Sequence, residues 1–330
     1  MGILYQIGIH FFILFLRIAS IFNLKIRSGL EGRKNWISIL EDIPKNAQVI
    51  WFHCASLGEF DQGLPVMHEL KNKTSGAYIL VTFFSPSGMQ HFEKRAHPVD
   101  KALYLPFDTK ANAHTFINKV KPKLAIFVKY EFWPNFILEC RASKIKLVSI
   151  STLLRKNQIY FKSYGGFFKR ILKSMDHFFV QNEETKVLLE SIAITDVEVS
   201  GDTRYDRVLK YKKDVSETNS ILSKFRAKGP VLIAGSSWEE EEKIVKKFLD
   251  SDTKSKVIIA PHNVNANNID RIQNLLDQPS VRYTQFKEYQ GDRVLILDTI
   301  GHLSSAYQYA DYALIGGGFS GNLHNILLYD

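Results

Sequence analysis

The chain has 330 residues, long for one core, and two domains of ordinary size are expected. Hydrophobic residues at 45% and charged residues at 23% exclude a disordered or fibrous chain. The formal net charge of +9 favours anionic partners, whether nucleic acid, an acidic lipid surface or a phosphorylated substrate.

The first element is the run MGILYQIGIHFFILFLRIASIF, apolar almost throughout and broken by Gln6, His10 and Arg17. Neither the early positive charge nor the small-residue cleavage site of a signal peptide is clear in it. Lys25, Arg27, Arg33 and Lys34 follow it, which by the positive-inside rule places the following domain in the cytoplasm. Residues 1–24 read as a membrane anchor, either crossing the bilayer or lying partly in it; a buried core helix is the competing reading.

From residue 48 onward short apolar strands alternate with helical stretches. Strands are expected at QVIWFHCA, AYILVTFF, KALYLPF, LAIFVKY, KLVSIS, HFFVQN and VEVSGD, with helices at GLPVMHELKNK, NAHTFINKVK and FILECRASK. A polar stretch after Asp206, VLKYKKDVSETNSILSKFRAKG, reads as a linker and a first helix. A second series follows: PVLIAGS, KVIIAPH, VRYTQF, RVLILDT and DYALIGGG as strands, with EEKIVKKFLD, NIDRIQNLLD and HLSSAYQYA as helices. The βαβα rhythm predicts an α/β fold of two doubly wound Rossmann-like domains, 25–207 and 208–330, facing a central cleft. Cys54 and Cys140 lie far apart and form no CxxC pair, so a reduced compartment without structural zinc is expected.

In such sheets ligands bind outside the carboxyl ends of the strands. The first strand runs through WFHCASLGEF, where Ser56 and Glu59 have the S-x-x-E spacing of a capping box. A carboxylate there is also placed to act as a base; with a reference pKa of about 4.3 it is ionised at neutral pH. Both readings of Glu59 stay open on local sequence. Glu131, in VKYEFWPN, sits at another strand end, where it reads equally as a polar residue before a helix opened by Pro134, with Trp133 as an apolar plug. His53 reads as a packed core histidine. His262 and His324, beside Asn263 and Asn325, divide evenly between loop polarity and ligand contact.

Ser236 and Ser237 precede a helix starting near Glu239, a place suited to phosphate. The acid run Glu239–Glu242 reads mainly as first-turn acids stabilising the helix dipole. Asp250-Ser251-Asp252 resembles a metal-binding DxD but falls at a helix end and reads as a solvated turn. The glycine run Gly316–Gly318 is either a close approach to a ligand or a tight strand exit. There is no GxxxxGK[ST] loop, no GxGxxG after the first strand and no HExxH.

In order along the chain, WFHCASLGEF, VTFFSPSG, LYLPFD, YEFWPN, FFVQNEETKVLL, SGDTRYD, AGSSWEEEE, LDTIGHLSSAYQYAD and GGGFSGNLHN resemble the 3-deoxy-D-manno-octulosonic acid (Kdo) transferases of lipopolysaccharide synthesis. The resemblance implies a GT-B glycosyltransferase at the cytoplasmic face of the inner membrane, moving Kdo from CMP-Kdo to a lipid A precursor with inversion. It implies no cofactor and no bound metal. It puts the base on Glu59 and a second essential carboxylate on Glu131. Donor contacts would come from Ser236, Ser237, His262, Gly316, Gly317, Gly318, His324 and Asn325, and acceptor contacts from Ser56, Gly58 and Trp133. Two departures stand out: His302 replaces a glutamate common in the family, and Leu328 falls where a nucleotide-contacting glutamate is usual. The chain therefore reads as a truncated member with an incomplete second domain. The alternatives are a GT-B enzyme using another nucleotide sugar and an inactive lipid- or nucleotide-binding remnant. Nucleic acid is not an expected partner, because the basic residues are scattered.

Overall fold

A computed structural model describes residues 2–205, 217–226 and 229–317. The chain divides into two compact units, Met1–Arg207 and Val208–Asp330.

The first unit opens with three helices, α1 (Gly2–Ala19), α2 (Leu24–Glu31) and α3 (Trp36–Glu41). Strands and helices then alternate: β1 (Gln48–Cys54), α4 (Leu57–Lys73), β2 (Ala77–Phe83), α5 (Pro86–His91), β3 (Lys101–Tyr104), α6 (Lys110–Val120) and β4 (Leu124–Val128). After them come α7 (Pro134–Ala142), β5 (Lys146–Thr152), α8 (Gly166–Leu172), β6 (His177–Val180), α9 (Glu183–Glu190) and β7 (Val197–Val199). Polar side chains start several of these helices: Thr109 accepts from the Asn112 N–H and Asn182 from the Thr185 N–H, satisfying donors that the helix itself leaves unpaired.

The seven strands are all parallel, in the order β3-β2-β1-β4-β5-β6-β7. Side chains alternate across the sheet, so consecutive residues of β1 feed two cores. Trp51 packs with Phe116, Phe127 and Phe136 on one face; Phe52 and Cys54 pack with Phe60, Met67 and Phe83 on the other. Cys54 and Cys140 are both buried and unbridged, on opposite faces.

The second unit contains α10 (Glu217–Arg226), β8 (Val231–Ser237), α11 (Glu239–Ser251), β9 (Lys256–Pro261), α12 (Ala266–Leu276), β10 (Ser280–Arg282), β11 (Val294–Ile296), α13 (Leu303–Ala306) and β12 (Tyr312–Ile315). Its parallel sheet has the order β10-β11-β9-β8-β12. The expected strand VRYTQF is shorter than its pattern suggests: pairing stops at Arg282 and a 3-10 turn takes Tyr283–Glu288.

The core-helix reading of the N-terminus fails. Ile9 is the only buried residue of α1, and Ile3, Leu4, Phe11, Phe15 and Ile18 are each more than half exposed. The helix nevertheless touches the first unit along its length: Tyr5 meets Phe167 and Phe168, and Phe12 stacks on Phe84.

Candidate functional site

In both sheets the strand order reverses beside the first strand, and a doubly wound sheet opens a crevice where neighbouring strands send their connections to opposite faces. In the first unit that place lies between β1 and β4, paired from Ile50↔Leu124 to His53↔Phe127. The chain leaving β1 reaches Glu59 and the chain leaving β4 reaches Glu131.

Glu59 is the third residue of α4 and only 5% exposed. Its carboxylate accepts from the backbone N–H groups of Ala55 and Ser56. Ser56 adopts extended N-cap geometry but makes no side-chain cap bond, so the expected capping box is half built: the acid reaches back and the hydroxyl does not return. Burial, then the negative charge of Glu131, push Glu59 up to about 7; the two N–H groups and Lys129 oppose this. Burial also raises Glu131 above the usual carboxylate range. The charge of Glu131 thus acts on Glu59, whereas burial alone raises Glu131. Gly58 has open space, the Ser56 hydroxyl being the nearest group to an added Cβ at 3.9 Å.

The β4–α7 loop is held in an unusual shape. Lys129 has φ +74° and donates its N–H to the Ile150 carbonyl. Among the described non-glycine residues with positive φ, Lys121, Lys144, Ala193 and Asp277 follow helix ends, where such geometry is common. Lys129, Ser151 and Ser236 instead lie at the carboxyl ends of β4, β5 and β8, where backbone strain marks a constrained site. Trp133 is not merely an apolar plug. Its ring stacks on Phe84 at 4.9 Å, and its indole N–H reaches His53 Nε2 at 3.0 Å. His53 is fully buried, as its position on β1 suggests.

Two further ties were not read from the motifs that carry them. Asp108, at the end of LPFD, is 1% exposed and accepts from the N–H groups of Asn135 and Phe136, both at 3.1 Å, and from the Tyr5 hydroxyl at 2.6 Å. It joins α1 to the start of α7, and burial pushes it up to about 6. In SGDTRYD, Thr203 donates to the Gln62 carbonyl at 2.6 Å and Gln62 donates to Asp202 at 3.2 Å. The Thr203 hydrogen being used there, Ser151 is the donor in its 2.8 Å bond to Thr203. The motif thus closes over α4 one turn beyond Glu59.

In the second unit the corresponding place lies between β8 and β12. The pairing of β8 with β9 shifts at Ser236, whose φ is +53°. Gly316 crosses so close that an added Cβ would sit 2.0 Å from the Ser236 carbonyl oxygen, so glycine is required there. The N–H of Gly317 donates to Glu241 at 2.9 Å, and the other oxygen of Glu241 accepts from the Trp238 N–H at 3.0 Å. The acid run therefore splits. Glu239 and Glu240 face solvent against Lys243, whereas Glu241 and Glu242 are buried and build the turn, so the dipole-stabilising reading expected for most of the run applies to two of the four. Glu242 pairs with Arg271 and takes the Ser237 hydroxyl at 3.3 Å, so that hydroxyl points into the protein. The His262 N–H donates to the Ser237 carbonyl, and its ring stacks on the half-exposed Trp238 at 4.3 Å. Trp238, missed in the sequence, offers a flat exposed face at a strand end. Gly318, His324 and Asn325 lie outside the described residues.

Asp252 accepts from the Lys254 and Ser255 N–H groups and the Ser255 hydroxyl, the turn expected from its sequence. Among the described residues no group of three or more His, Cys, Asp or Glu side chains is placed to hold a metal ion.

These paired α/β units define a chain of the GT-B class. Solved structures agree: the UDP-GlcNAc 2-epimerase of Neisseria meningitidis aligns with a TM-score of 0.58 at 16% identity, over 81% of this chain and 76% of that one. A putative UDP-N-acetylglucosamine 2-epimerase of Listeria monocytogenes gives 0.53 at 12%, over 82% and 75%. Residues 29–207, over half of the chain, match the family of 3-deoxy-D-manno-octulosonic-acid transferase (kdotransferase), and the chain belongs to that family. It is 24% identical to a bifunctional glycosyltransferase/methyltransferase of Fusobacterium nucleatum over 83% of its own length and 44% of that protein. To the 3-deoxy-D-manno-octulosonic acid transferases of Aquifex aeolicus and Rickettsia bellii it is 26% and 24% identical, over 84% and 97% of this chain and 72% and 76% of theirs.

Proposed function

We propose that this protein transfers Kdo from CMP-Kdo to a lipid A precursor, with Glu59 as the general base. The observation that carries this reading is the state of Glu59: buried at the β1–β4 crevice and raised to about 7, poised between holding and releasing a proton at neutral pH. A base of that strength is matched to its task, and positioned proton transfer is worth about 10²–10⁴-fold. An acceptor hydroxyl gives its proton to Glu59 as its oxygen attacks the anomeric carbon of Kdo. The bond to the CMP phosphate breaks on the opposite face, so the configuration inverts. Burial, and after it the charge of Glu131, keep the pKa of Glu59 raised, and Trp133 and the Ser56–Gly58 turn border the acceptor.

The first unit takes the acceptor and the second the donor. In the second, Trp238 stacked on His262 supplies a flat surface beside the β8 turn, and backbone N–H groups entering α11 meet the charge on the departing phosphate without a metal. Ser236, Gly316 and Gly317 stay in this donor set; Gly318, His324 and Asn325 join it on sequence alone. Ser237 contributes backbone only, its hydroxyl being engaged by Glu242. The exposed apolar face of α1 and the net charge of +9 suit a helix lying in the cytoplasmic surface of the inner membrane.

The test is transfer from labelled CMP-Kdo and, separately, from labelled UDP-sugars to a tetra-acylated lipid A precursor in detergent. Transfer from CMP-Kdo alone is expected. Turnover of UDP-sugars alone would remove the donor assignment, and lipid binding without any turnover would make the chain a binding protein.

A further inference from the structure

Between α1 and the first unit lies a pocket of about 520 Å³, lined among others by Leu4, Gly8 and Phe12 of α1 and by Trp133, Phe167 and Phe168. Its lining carries no charged residue. The volume lies within the ~300–1,000 Å³ usual for small-molecule sites. We infer that this pocket holds one acyl chain of the phosphorylated lipid acceptor and so sets which acceptors reach Glu59. The inference rests on the proposed lipid acceptor and adds a subsite to it.

Three features favour a lipid chain as occupant. The pocket continues the outward apolar face of α1, where Leu4, Phe11 and Phe15 are 68%, 67% and 64% exposed. An apolar surface of that extent is suited to lipid. Charge agrees: residues 1–30 contain Arg17, Lys25 and Arg27 and no Asp or Glu. Lys25 lines a second cavity, about 220 Å³, together with Phe84 and Ser85. Phe84, which lines the second cavity, stacks on two residues that line the first, Phe12 at 6.4 Å and Trp133 at 4.9 Å, so the two cavities lie on either side of one stack of rings. An amphiphile with a hydrocarbon chain in the first and an anionic head toward Lys25 matches both.

Position supplies the link to chemistry. Trp133 forms part of the pocket, its indole is anchored on His53, and Glu131 is two residues away. A chain resting on Trp133 therefore fixes the acceptor head relative to the base loop. Gly8 keeps the pocket open. A Cβ there would meet nothing within 4 Å, so a side chain fits without disturbing the helix, and glycine inside a helix is otherwise unfavourable by about 1 kcal/mol relative to alanine.

The whole chain in dilute detergent is titrated with a lysophosphatidic acid bearing a brominated acyl chain, below its micelle concentration, and tryptophan fluorescence is followed. Bromine quenches indole only near contact. Saturable quenching is expected for the wild type and for Gly8→Ala, weaker binding by about tenfold (~1.4 kcal/mol) for Gly8→Phe, and loss of the quenched component in Trp133→Phe. Glycerol phosphate, which has the head without the chain, is expected neither to quench nor to compete. Quenching unchanged by Gly8→Phe overturns the inference; so does a Gly8→Phe effect confined to sedimentation, which would make a second copy of the chain the occupant. Because binding is read without turnover, quenching as expected in a protein inactive toward CMP-Kdo retains the pocket and removes the transferase reading. Transfer that is equally efficient in wild type and Gly8→Phe, with unchanged quenching, does the reverse.

Discussion

The indole N–H of Trp133 donates to Nε2 of His53 at 3.0 Å, which assigns the remaining ring proton to Nδ1, directed at the Thr82 hydroxyl oxygen at 3.0 Å. Thr82 accepts a second bond from Trp51 at 2.9 Å. The histidine is locked as one neutral tautomer, and burial pushes it down to about 3. Trp133→Phe keeps the ring on Phe84 and leaves a buried acceptor without a donor. A loss of about 1–3 kcal/mol in urea unfolding is expected. An unchanged midpoint would mean that the bond is not a source of stability.

Glu59→Gln separates cap from base. A carboxyl whose folded pKa lies above its unfolded value contributes stability that is fully present below about 4.5 and lost as pH rises through about 7. At pH 8 the ionised wild type carries a burden of roughly 3 kcal/mol that neutral glutamine lacks. Glu59→Gln, still able to accept from the Ala55 N–H, is expected to unfold at higher denaturant than the wild type at pH 8, the gap closing below pH 4.5. Transfer activity should fall by about 10²–10⁴-fold. Reduced stability with intact turnover would leave Glu59 a helix cap and nothing more.

Glu131→Gln addresses the coupling between the carboxylates. With ionised Glu59 as the proposed base, the rate should rise with pH through a limb near 7. Removing the neighbouring negative charge makes Glu59 easier to ionise and moves that limb to lower pH. Burial, the larger cause, remains, so the limb should stay above the ordinary glutamate value. A pH–rate profile that does not move would show that the two groups act independently.

Glu241 fastens the β12 turn to the start of α11 through the Gly317 and Trp238 N–H groups. Glu241→Ala releases both N–H groups to solvent, since Trp238 and Gly317 are exposed, and is expected to cost about 0.5–1.5 kcal/mol for each bond lost. Glu241→Gln retains one acceptor and should lose about half as much. Calorimetry of CMP binding should show weaker affinity for the alanine variant at temperatures where it remains folded. Full affinity would place the nucleotide away from this turn.

The alternation of apolar runs and helical spacing was sufficient to locate the sheets, because strands such as β1 and β9 are buried on both faces and read as continuous β-branched and aromatic stretches. The fate of Glu241 and Glu242 was legible but overlooked: they lie one turn before Val245 and two before Leu249, on the buried face of α11. The half-formed capping box was not legible, since the spacing of Ser56 and Glu59 says nothing about which way the hydroxyl turns. Nor was the bond from Tyr5 to Asp108, which spans 103 positions and leaves no local periodicity. VRYTQF misled because three paired residues and a tight turn share the composition of a longer strand.

Asp108 binds the Tyr5 hydroxyl on one side and the first backbone amides of α7 on the other, so a single carboxylate bolts the greasy end of the chain to the segment that presents Glu131 and Trp133. With α1 in the proposed membrane setting, lateral pressure on it would reach the loop that carries Glu131 and Trp133 through this one carboxylate. Solubilisation that strips α1 from its seat would detune the enzyme while its sheets stay intact, and the choice of detergent becomes a kinetic variable.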